Sequence, residues 1–205
     1  MDCVKIESGI SLLRIFQAAP QIKDVDVYIN EKLVFSNLQF TQFSKYIKLK
    51  EGKYRIEIFK TGTNLQPIIS CILDLEEGQM LTIAIIENLE DLSLLVINDS
   101  LDKKASSNTS SFRFVHLSYN TPAVDILVNN KILIKNLSFK QNISYVDIVP
   151  DPYNIEVVLN ENKESVLAFG AILNSNRIYT IYIIGQLPNL RAIQSVDGNT
   201  YLCKY

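Results

Sequence analysis

The chain has no tryptophan, one histidine and three cysteines in 205 residues. Without Trp there is no buried indole of the kind that marks antibody-type sandwiches, and the strongest stacking surface for a sugar ring is missing. Cys3, Cys71 and Cys203 cannot all pair within one molecule, and their spacing is not that of a metal site. Charge of one sign is also lacking: 20 basic against 22 acidic residues leave a net charge of −2, which offers no basic face to a polyanion. Nucleic acid is therefore not an expected partner. The longest apolar run of interest, Met80 to Ile86, falls well short of the roughly 20 residues that span a bilayer, so no transmembrane segment is expected. The start, Met1-Asp2-Cys3-Val4-Lys5-Ile6-Glu7-Ser8-Gly9, lacks the charged, apolar and small-residue succession of a secretory signal. The expectation is cytoplasmic synthesis without a signal peptide.

What is present is an ordinary globular composition, 47% apolar and 20% charged, able to bury a core. The chain also repeats itself. Arg14, Val25-Asp26-Val27, Asn30, Leu38, Phe40, Tyr46 and Tyr54-Arg55-Ile56-Glu57 recur 99 residues later as Arg113, Val124-Asp125-Ile126, Asn129, Leu137, Phe139, Tyr145 and Tyr153-Asn154-Ile155-Glu156. After a one-residue deletion, Thr82-Ile83, Leu89 and Leu92 recur 98 residues later as Thr180-Ile181, Leu187 and Leu190. A register kept over so long a stretch is a duplication. Between the copies, Leu101 to Ser110 is polar, small and without apolar periodicity, as a flexible linker is. The reading is a first domain over 10–100, a linker over 101–110 and a second domain over 111–200.

Within each copy the apolar pattern has the period of a strand. Tyr46-Ile47-Lys48-Leu49 and Arg55-Ile56-Glu57-Ile58-Phe59 alternate polar with apolar, while Leu12 to Phe16 and Val25 to Ile29 are β-branched and aromatic. Asn30-Glu31-Lys32 and Asn129-Asn130-Lys131 are polar breaks of hairpin length, and Glu51-Gly52 and Glu77-Gly78 supply turns. Seven or eight short strands per copy, with turns every 8–12 residues and no amphipathic helix, predict an all-β fold: two tandem antiparallel β-sandwiches, Ig-like in architecture.

Both copies resemble the bacterial family known as domain of unknown function 4397. The first shows Arg14-Ile15-Phe16-Gln17-Ala18-Ala19-Pro20, Val25-Asp26-Val27-Tyr28-Ile29-Asn30, Ser44-Lys45-Tyr46 and Gly52-Lys53-Tyr54-Arg55-Ile56-Glu57. The second shows Arg113-Phe114-Val115-His116-Leu117-Ser118, Pro122-Ala123-Val124-Asp125-Ile126, Ser144-Tyr145 and Tyr153-Asn154-Ile155-Glu156. Gln17 stands where the family usually has His, and Asp151-Pro152 replaces Gly-x before Tyr153. The resemblance implies the fold and brings no catalytic residues. It also implies relatives exported to the envelope by signal sequences, which this chain lacks.

Few residues invite chemistry. His116, Ser118, Asp125 and Tyr119 hold the residue types of a hydrolase, but Ser118 has no nucleophile-elbow context, and the first copy puts Gln17 and Ala19 at the aligned positions. No catalytic residue, metal or cofactor is expected. His116, Ser118 and Tyr119 instead define a candidate loop binding surface at one sandwich end. Asp26 and Asp125 either face solvent, close loops by accepting hydrogen bonds, or pair with Arg14 and Arg113 across neighbouring strands. A calcium site at Asp24 and Asp26 lacks the necessary dense oxygen loop. Tyr28, Phe40, Phe43, Tyr46 and Tyr54 read as core before they read as a sugar platform. Cys71 lies in an apolar run and reads as a buried free thiol. Cys3 and Cys203 flank the repeats and are candidates for cross-links between molecules.

The expectation that follows is a non-catalytic structural or assembly protein of the bacterial cell envelope or spore surface, with protein partners or self-assembly. The alternative is a module that recognises a glycan or a protein through sandwich-end loops.

Overall fold

A computed structural model describes residues 6–88, 91–99, 103–104 and 106–203. The chain divides into two compact units, Met1–Asp102 with Tyr201–Tyr205, and Lys103–Thr200. Each is a sandwich of two four-stranded sheets. The first unit runs β1 (Ile10–Gln17), β2 (Asp24–Ile29), β3 (Lys32–Gln39), β4 (Ile47–Lys50), β5 (Gly52–Lys60), β6 (Ile69–Leu75), β7 (Met80–Asn88) and β8 (Asp91–Asn98). The second runs β9 (Ser110–His116), β10 (Val124–Val128), β11 (Lys131–Leu137), β12 (Val146–Ile148), β13 (Asp151–Leu159), β14 (Ser165–Leu173), β15 (Arg177–Gln186) and β16 (Asn189–Val196); a 3-10 turn over Gly198–Tyr201 follows where the unit ends.

The two units share one topology. Sheet order is β4-β1-β7-β8 over β3-β2-β5-β6 in the first, and β12-β9-β15-β16 over β11-β10-β13-β14 in the second. Strand pairing is antiparallel except once in each unit, where β1 runs parallel to β7 and β9 runs parallel to β15. Between β1 and β7 the chain crosses to the opposite sheet for β2 and β3, returns to place β4 on one side of β1, crosses again for β5 and β6, and then lays β7 on the other side of β1. A strand reached by such a crossover is free to run parallel, whereas one reached by a tight hairpin is not.

The core of the first unit packs Leu13 and Ile15 with Leu81, Ile83 and Ile85 against Val25, Val27, Ile56 and Ile58. In the second, Phe112 and Phe114 with Tyr179, Ile181 and Ile183 pack against Val124, Ile126, Ile155 and Val157. Burying each such side chain contributes about 1.5–3 kcal/mol. Strands β1, β7, β9 and β15 are buried on both faces. That explains their near-continuous apolar runs, in contrast with the alternation of β5 and β13.

The hairpin breaks behave as their residues require. Asn30 and Glu31 have φ of 48° and 66°, and Asn129 and Asn130 have 47° and 64°, the two consecutive left-handed residues of a tight turn that follows strand twist. The Asn30 and Asn129 side-chain amide oxygens then accept the N–H of Arg55 and Asn154 on the neighbouring strand.

Candidate functional site

Each unit carries a buried polar cluster on the outer face of its mixed sheet. Arg14 stands in register with Thr82 across the parallel pair, and its Nε donates to the Thr82 hydroxyl at 2.8 Å. Thr82 donates to Asp99 at 2.6 Å, and the Tyr46 hydroxyl donates to the same carboxylate oxygen at 2.8 Å. The Arg14 guanidinium lies 4.0 Å from Asp99 and 4.7 Å and 4.8 Å from the ring centroids of Phe43 and Tyr46. The second unit repeats this with Arg113 on Thr180 at 2.8 Å, and with Thr180 and Tyr145 on Asp197; the guanidinium is 4.5 Å from the Tyr145 ring. A charge buried this deeply is tolerable only when paired and hydrogen-bonded. The cluster supplies that condition, pins β1 to β7 and β9 to β15, and is structural.

The pairing of Arg14 with Asp26, and of Arg113 with Asp125, does not occur. The physical reason is topological: β1 and β2 are consecutive in the chain but lie in different sheets, so their residues are not cross-strand neighbours. Asp26 closes loops instead. It accepts the Asn37 N–H at 2.8 Å, the Thr61 hydroxyl at 3.2 Å and the Gly62 N–H at 3.2 Å. Asp125 accepts the Asn136 N–H at 2.9 Å, the Asn160 amide at 2.7 Å and the Lys163 ammonium at 2.7 Å. Burial pushes the Asp125 carboxyl up, but Lys163, Asn136 and Asn160 together outweigh it and hold the group down at about 2.

At one end of each sandwich, the last residue of the first strand staples the loop that follows. Gln17 is fully buried; its amide oxygen accepts the Ala19 N–H at 3.0 Å and its amide nitrogen donates to the Ile22 carbonyl at 3.0 Å. His116, also fully buried, accepts the Ser118 N–H on Nδ1 at 3.3 Å, and its Nε2 lies 3.4 Å from the Pro122 carbonyl. Burial pushes the imidazole below its ordinary value, against the pull of the Pro122 and Thr121 carbonyls. Ser118 has no exposure, and its hydroxyl meets Thr121 at 2.7 Å rather than the imidazole. No base–nucleophile–carboxylate chain is assembled here, because Asp125 is engaged by Asn136, Asn160 and Lys163. His116 and Ser118 lie beneath the loop instead of on its surface. Tyr119 is half-buried, with its hydroxyl 3.3 Å from Gln186.

The same end of the first unit opens into a cleft of about 1060 Å³ between its two sheets. Three stretches of the chain line it. The β7–β8 side supplies Glu87, Asn88, Asp91 and Leu92; the β2–β5 side supplies Asp24, Lys60, Thr61 and Thr63; Ile22, Pro67 and Ile68 are apolar lining residues. Glu87 is buried and accepts the Gln21 N–H at 2.5 Å, which ties the β1–β2 loop to the wall. Among the described residues no aromatic ring lines the cleft. In the second unit the position of Glu87 is held by Gly185 at φ 88°, where an added Cβ would come 2.6 Å from the Asn189 carbonyl oxygen. There Asn120 accepts the Leu187 N–H at 3.0 Å, bridging two of the loops that would form such a cleft. Sequence reasoning missed Glu87, Asp99 and Asp197. Continuing the 98-residue register past Leu92 would have placed Asp99 on Asp197.

Among the described residues no group of His, Cys, Asp and Glu could hold a metal ion, and no helix is long and apolar enough to cross a membrane. Cys71 is a free, half-buried thiol whose pKa burial raises. Cys203 is disulfide-bonded, and Cys3 lies outside the described residues.

The family model described as "Domain of unknown function (DUF4397)" matches residues 11–127 and again residues 110–201. No curated protein matches. Among solved structures, the chain is similar to the CBMbc module (family CBM26) of Eubacterium rectale Amy13K in complex with maltoheptaose, at 10% identity and a TM-score of 0.32, over 92% of this chain and 99% of that one. It is similar to the Bacillus anthracis TIE protein at 14% identity and 0.27, over 86% of this chain and 34% of that one. A putative adhesin from Bacteroides ovatus matches at 12% identity and 0.22, over 95% and 97%.

Proposed function

Because the chain belongs to the DUF4397 family along both of its halves, we propose that it is a non-catalytic recognition module whose contact surface is the loop end of its sandwiches. The observation that carries this is the cleft of the first domain. It combines half-buried apolar lining at Pro67, Ile68 and Leu92 with a rim of both charge signs and many donors, the anatomy of a recognition surface. Lining without aromatic rings favours a polar peptide segment over a stacked sugar. The test is binding of the full chain to arrays of short peptides and of glycans, repeated with the charge reversals Lys60→Glu and Asp91→Lys. Peptide binders lost in both variants support the reading. Arrays without a binder, or binders indifferent to both variants, overturn it, and glycan binders lost in both would reassign the ligand.

A second reading, assembly into an envelope or spore-surface layer, is favoured by a different observation. Both domains expose apolar side chains at matching places on an edge strand, Leu33 on β3 and Ile132 and Leu133 on β11. Such edges invite pairing with another copy. Sedimentation of the purified chain tests it: concentration-dependent assembly that Leu33→Lys with Ile132→Lys abolishes supports it, and a monomer at all concentrations removes it.

A further inference from the structure

Gln17 and His116 hold one position in two copies of a fold, and both do the same work with different chemistry. In each, an acceptor takes the N–H two residues ahead and a donor reaches a carbonyl five or six residues ahead. With Nδ1 accepting from Ser118, the ring proton sits on Nε2, directed at Pro122. An amide keeps this arrangement at every pH. An imidazole does not, because a second proton on Nδ1 sets one N–H against another. The Ser118 N–H then loses its acceptor in a site where neither residue is exposed.

We propose that His116 is a proton-operated latch on loop 117–123 of the second domain, closed while the ring is neutral and released when it is doubly protonated, and that Gln17 is the same latch made insensitive to pH. The inference adds regulation to the loop-end surface proposed above and rests on that reading for its purpose alone, since the latch is tested without a ligand.

The surroundings offer the imidazolium little compensation. Loop 117–123, Leu-Ser-Tyr-Asn-Thr-Pro-Ala, contains no charged side chain, and its one phenol, Tyr119, is directed at Gln186. On β15, Ile183 is in register with His116 and is flanked by the buried phenol of Tyr182. Segment 138–142 accepts the His116 N–H on the Gln141 carbonyl and donates the Lys140 N–H to the His116 carbonyl. Its one charge is another cation: the Lys140 ammonium lies 5.3 Å from the Phe139 ring, itself 6.5 Å from the imidazole. Asp125 on β10 is held by Asn136, Asn160 and Lys163. Burial depresses the folded value below the ordinary 6.5. The latch therefore contributes fully above that value and is lost as pH falls through the folded one. His116 is the chain's only histidine, so no other imidazole confuses the readout.

The experiment is amide hydrogen exchange on the full chain from about pH 7.5 to about pH 4.5, corrected for intrinsic rates. Protection of loop 117–123 should fall by up to about tenfold per pH unit below the transition, while loop 18–23 holds. His116→Gln should remove the response, and Gln17→His should install it in the first domain. Equal responses of the two loops in the parent protein, or an unchanged response in His116→Gln, overturn the proposal. Should His116→Gln not fold, an NMR titration of the parent's single imidazole decides: a value at or above the ordinary one is equally fatal.

Discussion

From Arg14 to Asp99 in the first domain and from Arg113 to Asp197 in the second, the same four polar residues make the same contacts on the same mixed sheet. At the loop end the two copies part. The first closes its Asp26 clasp with a hydroxyl and two backbone N–H groups, and leaves a cleft walled by Glu87. The second recruits Asn160 and Lys163 to Asp125, replaces Glu87 by Gly185, and bridges Asn120 to Leu187. What builds the sheets is held in common, and what meets solvent differs. A buried network fails as a whole when one member goes, whereas a loop has several ways of satisfying its backbone.

The sharpest way to break this comparison is to delete the shared cluster's carboxylate. Asp99→Ala and Asp197→Ala each strand a buried guanidinium and should cost the host domain about 3–5 kcal/mol, equally in both, by urea unfolding with hydrogen exchange resolving the domains. A large inequality would show that the clusters are alike in geometry and not in energy. Next comes the position that separates the copies. Gly185→Ala should destabilise the second domain by about 2–3 kcal/mol through its left-handed backbone and the Asn189 carbonyl, while Glu87→Ala, which frees one loop N–H, should cost the first about 1–2 kcal/mol. Smaller again, Asn30→Ala and Asn129→Ala should each cost about 1 kcal/mol for a left-handed residue without its side-chain bond, measured as matched shifts in midpoint. The last effect is confined to acid. With Asp125 held at about 2 against an ordinary 3.8, its contribution is complete above the ordinary value and fades as pH falls through the folded one. Asp125→Asn should flatten the acid limb of second-domain unfolding.

Much of the architecture was legible because duplication prints every structural demand twice. The Asn-led hairpins and the alternation of β5 followed from residue type and period. Partners that meet through space were harder to read. Arg14 and Asp26 are near in sequence but belong to opposite sheets, so of the readings open for Asp26 the loop-closing one holds and the pairing with the arginine does not. Asp99, the arginine's partner, is 85 residues away and sits among turn residues where an aspartate looks ordinary. His116 showed that a change of residue type between the copies can keep a contact intact, since Gln17 holds the same loop. The cleft was not legible at all. It depends on three separate stretches of chain converging at a sandwich mouth, and no single segment records that.

The parallel pairing in each unit also orders events in time. Arg14 meets Thr82 across 68 residues, and Arg113 meets Thr180 across 67. Each first strand meets its antiparallel neighbour, β4 or β12, midway through the repeat, but its parallel neighbour only after nearly the whole repeat has left the ribosome. The hairpins β2–β3 and β5–β6 form from local contacts meanwhile, so nucleation belongs to the all-antiparallel sheet, and the mixed sheet closes last. A chain arrested before β7 would leave one edge of β1 unpaired, with Leu13 and Ile15 short of their core partners Leu81, Ile83 and Ile85, so an open strand edge during synthesis follows from the strand order.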